Sequence, residues 1–249
     1  MDGLLIGIGV GIAPGMLTDE AKQAIKMADI VAIPVEDKEK SRAYKLAEKV
    51  VPKLKTKQIL LLDFKMERDK KLESENHLQL YKEIKEYILQ GKKVAFLTIG
   101  DPAIYSTFSY MMEKAETDGI HCKMISGVSS ISACAGRLGI PLSCGSEMIH
   151  IIPGVDNLKE VLDYPGTKVI MKCGKNIPKV KQILKDYEEK CLDAGVKISI
   201  YAVSECGMID EACYEGLSQI PDDAGYMTTI IVKMDHSLRD LWLTFGNQL

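Results

Sequence analysis

The sequence predicts a two-domain α/β protein with a mostly parallel first sheet and a mixed second sheet. Three observations carry this reading. In the first half, short apolar runs alternate with amphipathic stretches, the β-α-β-α order that parallel strands and right-handed crossovers require. Around Thr117-Asp-Gly-Ile120 the alternation resets, and the second half is richer in strand-like segments. The length, 249 residues with 46% apolar, suits two small cores or one large one. The expected domains are therefore 1–118 and 119–249.

The elements follow in order. Leu4–Val10 reads as a strand ending in glycines. Thr18 can cap a helix running through Met27, with Asp19 and Glu20 in its first turn favouring the helix dipole. Ile30–Pro34 is a second strand. Ser41 then starts a helix with Ala43, Leu46, Ala47 and Val50 on its apolar face, stopped near Pro52. Gln58–Leu62 is a third strand. In Leu72–Gln90, Leu78, Tyr81, Ile84 and Ile88 recur at helical spacing, and Gly91 ends the helix. Lys93–Leu97 is a fourth strand, followed by Thr98-Ile-Gly-Asp-Pro102 and a helix to about Glu116. The second half offers strands at Cys122–Ile125, Met148–Ile152, Lys168–Met171, Val196–Val203 and Tyr226–Val232. Helices are expected at Ile131–Leu138 and around Lys179–Lys190.

Composition excludes several classes. With 32 Lys plus Arg against 35 Asp plus Glu, the net charge is −3, whereas a general nucleic-acid or membrane-surface binder is basic. The seven cysteines (122, 134, 144, 173, 191, 206 and 213) contain no CxxC pair and are odd in number, as expected of reduced thiols in a cytoplasmic protein. The four histidines (77, 121, 150 and 236) lack the spacing of a tetrahedral zinc site, so no metal is expected. No run approaches the length of a membrane span, and the start lacks a basic segment before a continuous apolar one.

Three turns close predicted strands, the end at which open α/β sheets place ligands. Gly7-Ile-Gly-Val-Gly11 allows close backbone approach, but its third glycine position holds Ile12 or Pro14, so it fails as a dinucleotide fingerprint. Glu36, after the second strand, could still imitate the ribose-binding acid. Thr98-Ile-Gly-Asp-Pro-Ala-Ile-Tyr105 reads as a helix capped by Asp101, and that carboxylate could equally meet a cationic or hydroxylated ligand. Ser126-Gly-Val-Ser-Ser-Ile-Ser132 offers Ser129 or Ser130 as another cap.

Taken together, the Gly-rich first turn with Leu17-Thr18, then Gly100-Asp-Pro102, then Gly127-Val-Ser-Ser130, then Thr228-Thr-Ile-Ile-Val232, resemble the tetrapyrrole methylase family over essentially the whole chain. Ser41-Arg-Ala-Tyr44, Phe96–Thr107 and Ser132–Leu142 are similar to the members that methylate carbon 20 of precorrin-2 or its cobalt form. The resemblance implies a tetrapyrrole methylase-like fold with an interdomain cleft, S-adenosylmethionine as methyl donor, a place in cobalamin biosynthesis and a homodimer. It also implies cofactor contacts at Gly100, Asp101, Ile104, Ser129, Ser130, Cys173, Val203 and Thr229. One departure stands out. The Gly-Pro-Gly-Asp-Pro usual in the first turn is here Gly11-Ile-Ala-Pro-Gly15, so Pro14 and Gly15 stay outside the cofactor set.

The residue inventory suits such chemistry. A sulfonium already carries an activated methyl group, and the bridging carbon of a reduced tetrapyrrole is enamine-like. Alignment and desolvation then count for more than a protein nucleophile. The sequence names no base for the departing proton, and no Ser-His-Asp set stands out. Arginine is scarce (Arg42, Arg68, Arg137 and Arg239), and Arg42, after a strand end, is the first candidate for a substrate carboxylate. Arg137 reads as structural. The other readings are a family member acting on another ring carbon, on RNA or on a protein, a dinucleotide-dependent oxidoreductase, and a non-catalytic binding protein.

Overall fold

The computed structural model describes residues 3–65 and 69–234, so Arg68, His236 and Arg239 lie outside the described residues. The chain divides into two units, Met1–Ser130 and Ile131–Leu249.

In the first unit, β1 (Leu4–Gly9), β2 (Ile30–Ile33), β3 (Gln58–Leu61), β4 (Lys93–Thr98) and β5 (Cys122–Ile125) form one sheet in the order β3-β2-β4-β1-β5. Every pairing in it is parallel. The connecting helices are α1 (Asp19–Met27), α2 (Arg42–Val50), α3 (Lys70–Leu89) and α4 (Phe108–Thr117). Leu5, Ile30, Ala32, Val94 and Phe96 turn one face of the sheet to Leu80, Tyr81, Ile84 and Ile88 of α3 and Phe108, Met111 and Ala115 of α4. The alternate strand residues Ile8, Val31, Ile33, Ala95 and Leu97 are buried too, which is why β1, β2 and β4 read as continuous apolar runs rather than alternating ones. Thr18 caps α1 by accepting from Ala21 N at 3.2 Å, and Ser41 caps α2 by accepting from Tyr44 N at 3.1 Å.

Three expectations are corrected here. The division follows Ser130 rather than residue 118, because β5 pairs with β1 and completes the first sheet. The buried stripe of α3 is His77, Leu80, Tyr81, Ile84 and Ile88, while Leu78 faces solvent. The helix expected from Pro102 starts only at Phe108, since Tyr105 has φ 48°, which interrupts any helix there.

The second unit opens with α5 (Ser130–Leu138), whose first residue closes the first unit. Its sheet contains β6 (Ile149–Pro153), β7 (Thr167–Met171), β8 (Ile198–Ser204), β9 (Ala212–Glu215) and β10 (Thr228–Met234), in the order β6-β7-β10-β8-β9. Only β6 and β7 run parallel; β10 sits in the middle and pairs antiparallel with both β7 and β8. Ile152, Ile170, Ile200, Ala202, Ile230 and Val232 line one face and pack with α6 (Leu158–Leu162) and α7 (Ile177–Asp193). Two short elements, α6 and β9, were not expected; β9 alternates half-buried and exposed residues and carries no apolar run. Among the described residues no helix is long and apolar enough to cross a membrane.

Candidate functional site

The first unit has its switch point between β1 and β4. These neighbours lead through α1 towards β2 and through α4 towards β5, in opposite directions across the sheet. Their carboxyl ends therefore part, the arrangement that leaves an opening for a ligand.

At this opening three turns meet backbone to backbone. Gly100 N donates to Gly11 O at 2.9 Å, and Gly11 N donates to Gly100 O at 3.2 Å. Gly9 and Gly127 approach so closely that a Cβ on Gly127 would lie 2.2 Å from Gly100 O and 2.6 Å from Gly9 C. Asp101 locks the junction. Its Oδ1 accepts from Ala103 N at 2.8 Å and its Oδ2 from Gly127 N at 3.2 Å. The carboxylate thus holds its own turn and ties the β4 loop to the β5 loop, where the sequence suggested a helix cap. Ile104, half-buried, closes the turn by donating from its N to Asp101 O at 3.2 Å.

Gly100 has φ 70°, a conformation that side chains rarely adopt. A Cβ there would find nothing nearer than Ser129 Cα at 3.9 Å and Ile12 Cγ2 at 4.0 Å, so the space beyond it is open and walled by those two residues. An extended ligand could lie directly on the backbone. Gly100, Asp101, Ile104 and Ser129 are thus brought together, with Ser130 starting α5 beside them. Behind them Ser106 Oγ donates to Thr98 Oγ1 at 3.1 Å and accepts from Phe108 N at 3.1 Å, fixing the far end of the loop.

Arg42 opens α2 as an exposed residue on the buried cap Ser41. Glu36 pairs with Lys40 at 2.5 Å on the surface, an ordinary i,i+4 ion pair, not the geometry of a ribose-binding acid. Pro14 and Gly15 lie in a short 3-10 turn, and a Cβ on Gly15 would meet nothing within 4 Å.

In the second unit Val203 and Thr229 are register partners on β8 and β10, both buried. Cys173 follows the end of β7, and burial pushes its thiol up to about 11, so it stays protonated. The loop it belongs to is unusual. Lys172 has φ 58° beside Gly174 at 47°, and Glu205, after β8, has φ 50°. Burial lowers the Lys172 ammonium below its usual range. Sequence patterning could not single out these strained positions, because Lys, Glu and Tyr carry no signature for positive φ. Arg137, read as structural, pairs through Nε with Glu211 at 2.8 Å. Among the described residues no group of three or more His, Cys, Asp or Glu could hold a metal ion.

Residues 4–220 match the family model described as Tetrapyrrole (Corrin/Porphyrin) Methylases. The chain belongs to this family. It is accordingly a methyltransferase. A protein of Methanocaldococcus jannaschii named a probable cobalt-precorrin-2 C(20)-methyltransferase is 33% identical over 187 residues, covering 74% of this chain and 77% of the relative. A precorrin-2 C(20)-methyltransferase of Sinorhizobium sp is 25% identical over 241 residues, or 92% and 95% of the two chains. Among solved structures, a cobalt precorrin-4 methyltransferase superposes with TM-score 0.70 at 17% identity, over 92% of this chain and 94% of that one. A uroporphyrin-III C-methyl transferase from Thermus thermophilus, complexed with S-adenyl homocysteine, gives 0.63 at 18% identity, over 94% and 97%. These two establish the tetrapyrrole methylase fold of the chain.

Proposed function

We propose that this protein transfers the methyl group of S-adenosylmethionine to carbon 20 of precorrin-2 or cobalt-precorrin-2 in cobalamin biosynthesis. The observation that carries the donor half is the junction of three glycine turns around the open space at Gly100. The acceptor half is supported by the names of the two relatives and by the match to them across most of the chain.

In this reading the backbone of Gly100 and Ile104 and the side chains of Ser129 and Ser130 hold the donor. Val203, Thr229 and the backbone at Cys173 are the further donor contacts in this reading. The bound donor supplies an electrophilic methyl. The chain's own residues supply placement. Asp101 holds two loops in register, so that binding groups are set before the ligand arrives, and such preorganisation is what a transfer without a protein nucleophile needs. Its negative charge next to the opening also favours a cationic sulfonium. Ile12 and the half-buried Ile104 keep water from the edge. Arg42 meets a carboxylate of the macrocycle. We further take the working form to be a homodimer, resident in the cytoplasm, where seven unpaired cysteines are at home.

The test is a transfer assay with isotope-labelled donor and each macrocycle in turn. The expected product carries one added methyl, placed at carbon 20 by NMR. Methylation at another ring position, or none with either macrocycle while the donor still binds, would refute the acceptor assignment.

A further inference from the structure

The turns of the first unit place glycine where they need positive φ: Gly11 and Gly100 both have φ 70°. Tyr105, in the same β4–α4 loop as Gly100, has φ 48° while carrying a full aromatic side chain. A bulky residue in this left-handed region is an outlier, and it persists only where its surroundings over-determine it. They do so here. On one side, Ile104 is fixed by the bond from its N to Asp101 O at 3.2 Å. On the other, buried Ser106 is held three times over. Its Oγ donates to Thr98 Oγ1 and accepts from Phe108 N, both at 3.1 Å, and its carbonyl accepts from Ser109 Oγ at 2.7 Å. Both neighbours of Tyr105 are fastened, and its backbone is set between them. Burial does not offset the strain, since Tyr105 is 43% exposed. Glycine or asparagine would adopt this backbone at lower cost. What tyrosine adds is a large flat surface on a backbone that cannot swing, one residue beyond Ile104.

We propose that Tyr105 sets the specificity of the transfer: its ring is a fixed platform against which the macrocycle lies, and it decides which ring carbon faces the methyl. This deepens the function proposed above and rests on its donor seat, of which Ile104 is a part. The reacting carbon has to come within about 3–3.5 Å of the methyl, so the acceptor must cover the rim of that seat. Tyr105 is on the rim by its place next to Ile104. A reduced tetrapyrrole is flat over its conjugated bonds, apolar on its faces and carboxylated at its edge. An aromatic ring matches the face, as a cation matches the edge. Rigidity is what the strained backbone contributes. Neighbouring carbons of one macrocycle differ little in their surroundings, and a platform free to tilt would present several of them in turn.

The experiment compares Tyr105→Phe, which keeps the ring, with Tyr105→Asn, which keeps the left-handed backbone and removes the ring. Each full chain, loaded with S-adenosylhomocysteine, is titrated with precorrin-2 and with cobalt-precorrin-2 and followed by the macrocycle's visible absorption. The Phe variant should bind within about twofold of wild type and the Asn variant about fivefold or more weakly. S-adenosylhomocysteine affinity by calorimetry should be the same in all three. The urea midpoint of the Asn variant should equal or exceed that of wild type, because the strain is relieved. In turnover the Asn variant should raise KM for the macrocycle and spread the added methyl over more than one ring carbon by NMR. The binding ratio does not depend on which carbon wild type methylates, so wild-type transfer to a position other than carbon 20 would count against the acceptor assignment alone. Wild type that binds no S-adenosylhomocysteine would instead refute the donor seat. Unchanged macrocycle affinity in the Asn variant, or an equal loss in the Phe variant, would overturn the role of the ring. So would a clearly lowered urea midpoint in the Asn variant, which makes the ring ordinary packing, or lost self-association by light scattering at unchanged macrocycle affinity.

Discussion

Replacing Gly127 by alanine tests the junction at its tightest point. The new Cβ would sit 2.2 Å from Gly100 O, 2.6 Å from Gly9 C and 2.7 Å from Gly9 O. Carbon atoms pack at about 3.5–4.0 Å, so relief needs roughly 1 Å of separation between loops. None of the obstacles is a side chain that could rotate away. Gly9 is held in the β1 ladder, and Gly100 by its two bonds to Gly11. The loop of β5 must move, which stretches the 3.2 Å bond from Gly127 N to Asp101 beyond bonding range. Overpacking costs about 1–3 kcal/mol and a lost charge-assisted bond about 1.5–3 kcal/mol. The two overlap, since one displacement causes both, so about 3 kcal/mol is expected in total. With an m-value of about 2–3 kcal/mol/M, the urea midpoint of the first unit falls by about 1 M by circular dichroism. The same shift displaces Ser129 from Gly100, and S-adenosylhomocysteine affinity should fall about tenfold or more by calorimetry. Gly15→Ala, where a Cβ meets nothing within 4 Å, is the control and should leave both readouts nearly unchanged. Wild-type midpoint and affinity in Gly127→Ala would refute the reasoning outright.

Asp101, Arg42 and His77 each carry a further test. Asp101→Asn keeps one acceptor but turns an NH2 towards a backbone N–H, so it should lose about 1–3 kcal/mol in urea unfolding and bind donor more weakly; wild-type stability would show that the carboxylate does not tie the loops. Arg42→Ala should raise KM for the macrocycle while leaving S-adenosylhomocysteine affinity untouched, and should flatten the rise of KM with ionic strength; an unchanged KM removes Arg42 from the site. His77 is buried against Tyr110, with ring centroids 4.4 Å apart, and burial lowers its imidazole below the ordinary 6.5 despite Glu73 nearby. Because the unfolded chain takes up that proton first, stability is complete above about pH 6.5 and declines as pH falls below it; His77→Phe should remove that part of the decline in unfolding measured at pH 7 and pH 5.

Much of the fold was legible because its signals are local. The caps Thr18 and Ser41, the apolar runs of β1, β2 and β4, and the glycine turns at Gly9 and Gly100 each state their structure within a few residues. The misses concern information that is not local. Whether Cys122–Ile125 closes the first sheet or begins the second depends on pairing with β1, more than a hundred residues earlier, and the short strand cannot say so itself. The helix expected at Pro102 looked sound from Asp101 and Pro102, yet Asp101 spends its second oxygen on Gly127, a contact between two turns distant in sequence. His77 escaped the apolar pattern of α3 because a histidine counts as polar until it finds an aromatic neighbour. In the site, the glycine turns were visible as motifs. Their meeting at one edge was not.

The central place of β10 constrains the order in which the protein can be made. A ribosome delivers the first unit whole before the second sheet can exist, since all five of its strands lie within the first 125 residues. The second sheet has no such freedom. Until Thr228–Met234 emerges, β6 and β7 form one ribbon and β8 and β9 another, each with an open edge meant for the missing strand. Those edges are templates for mispairing with other chains. Nascent protein should therefore be most vulnerable to aggregation in the interval after β9 is made, and a ribosome stalled there should hold a folded amino-terminal unit joined to an unclosed, chaperone-dependent remainder.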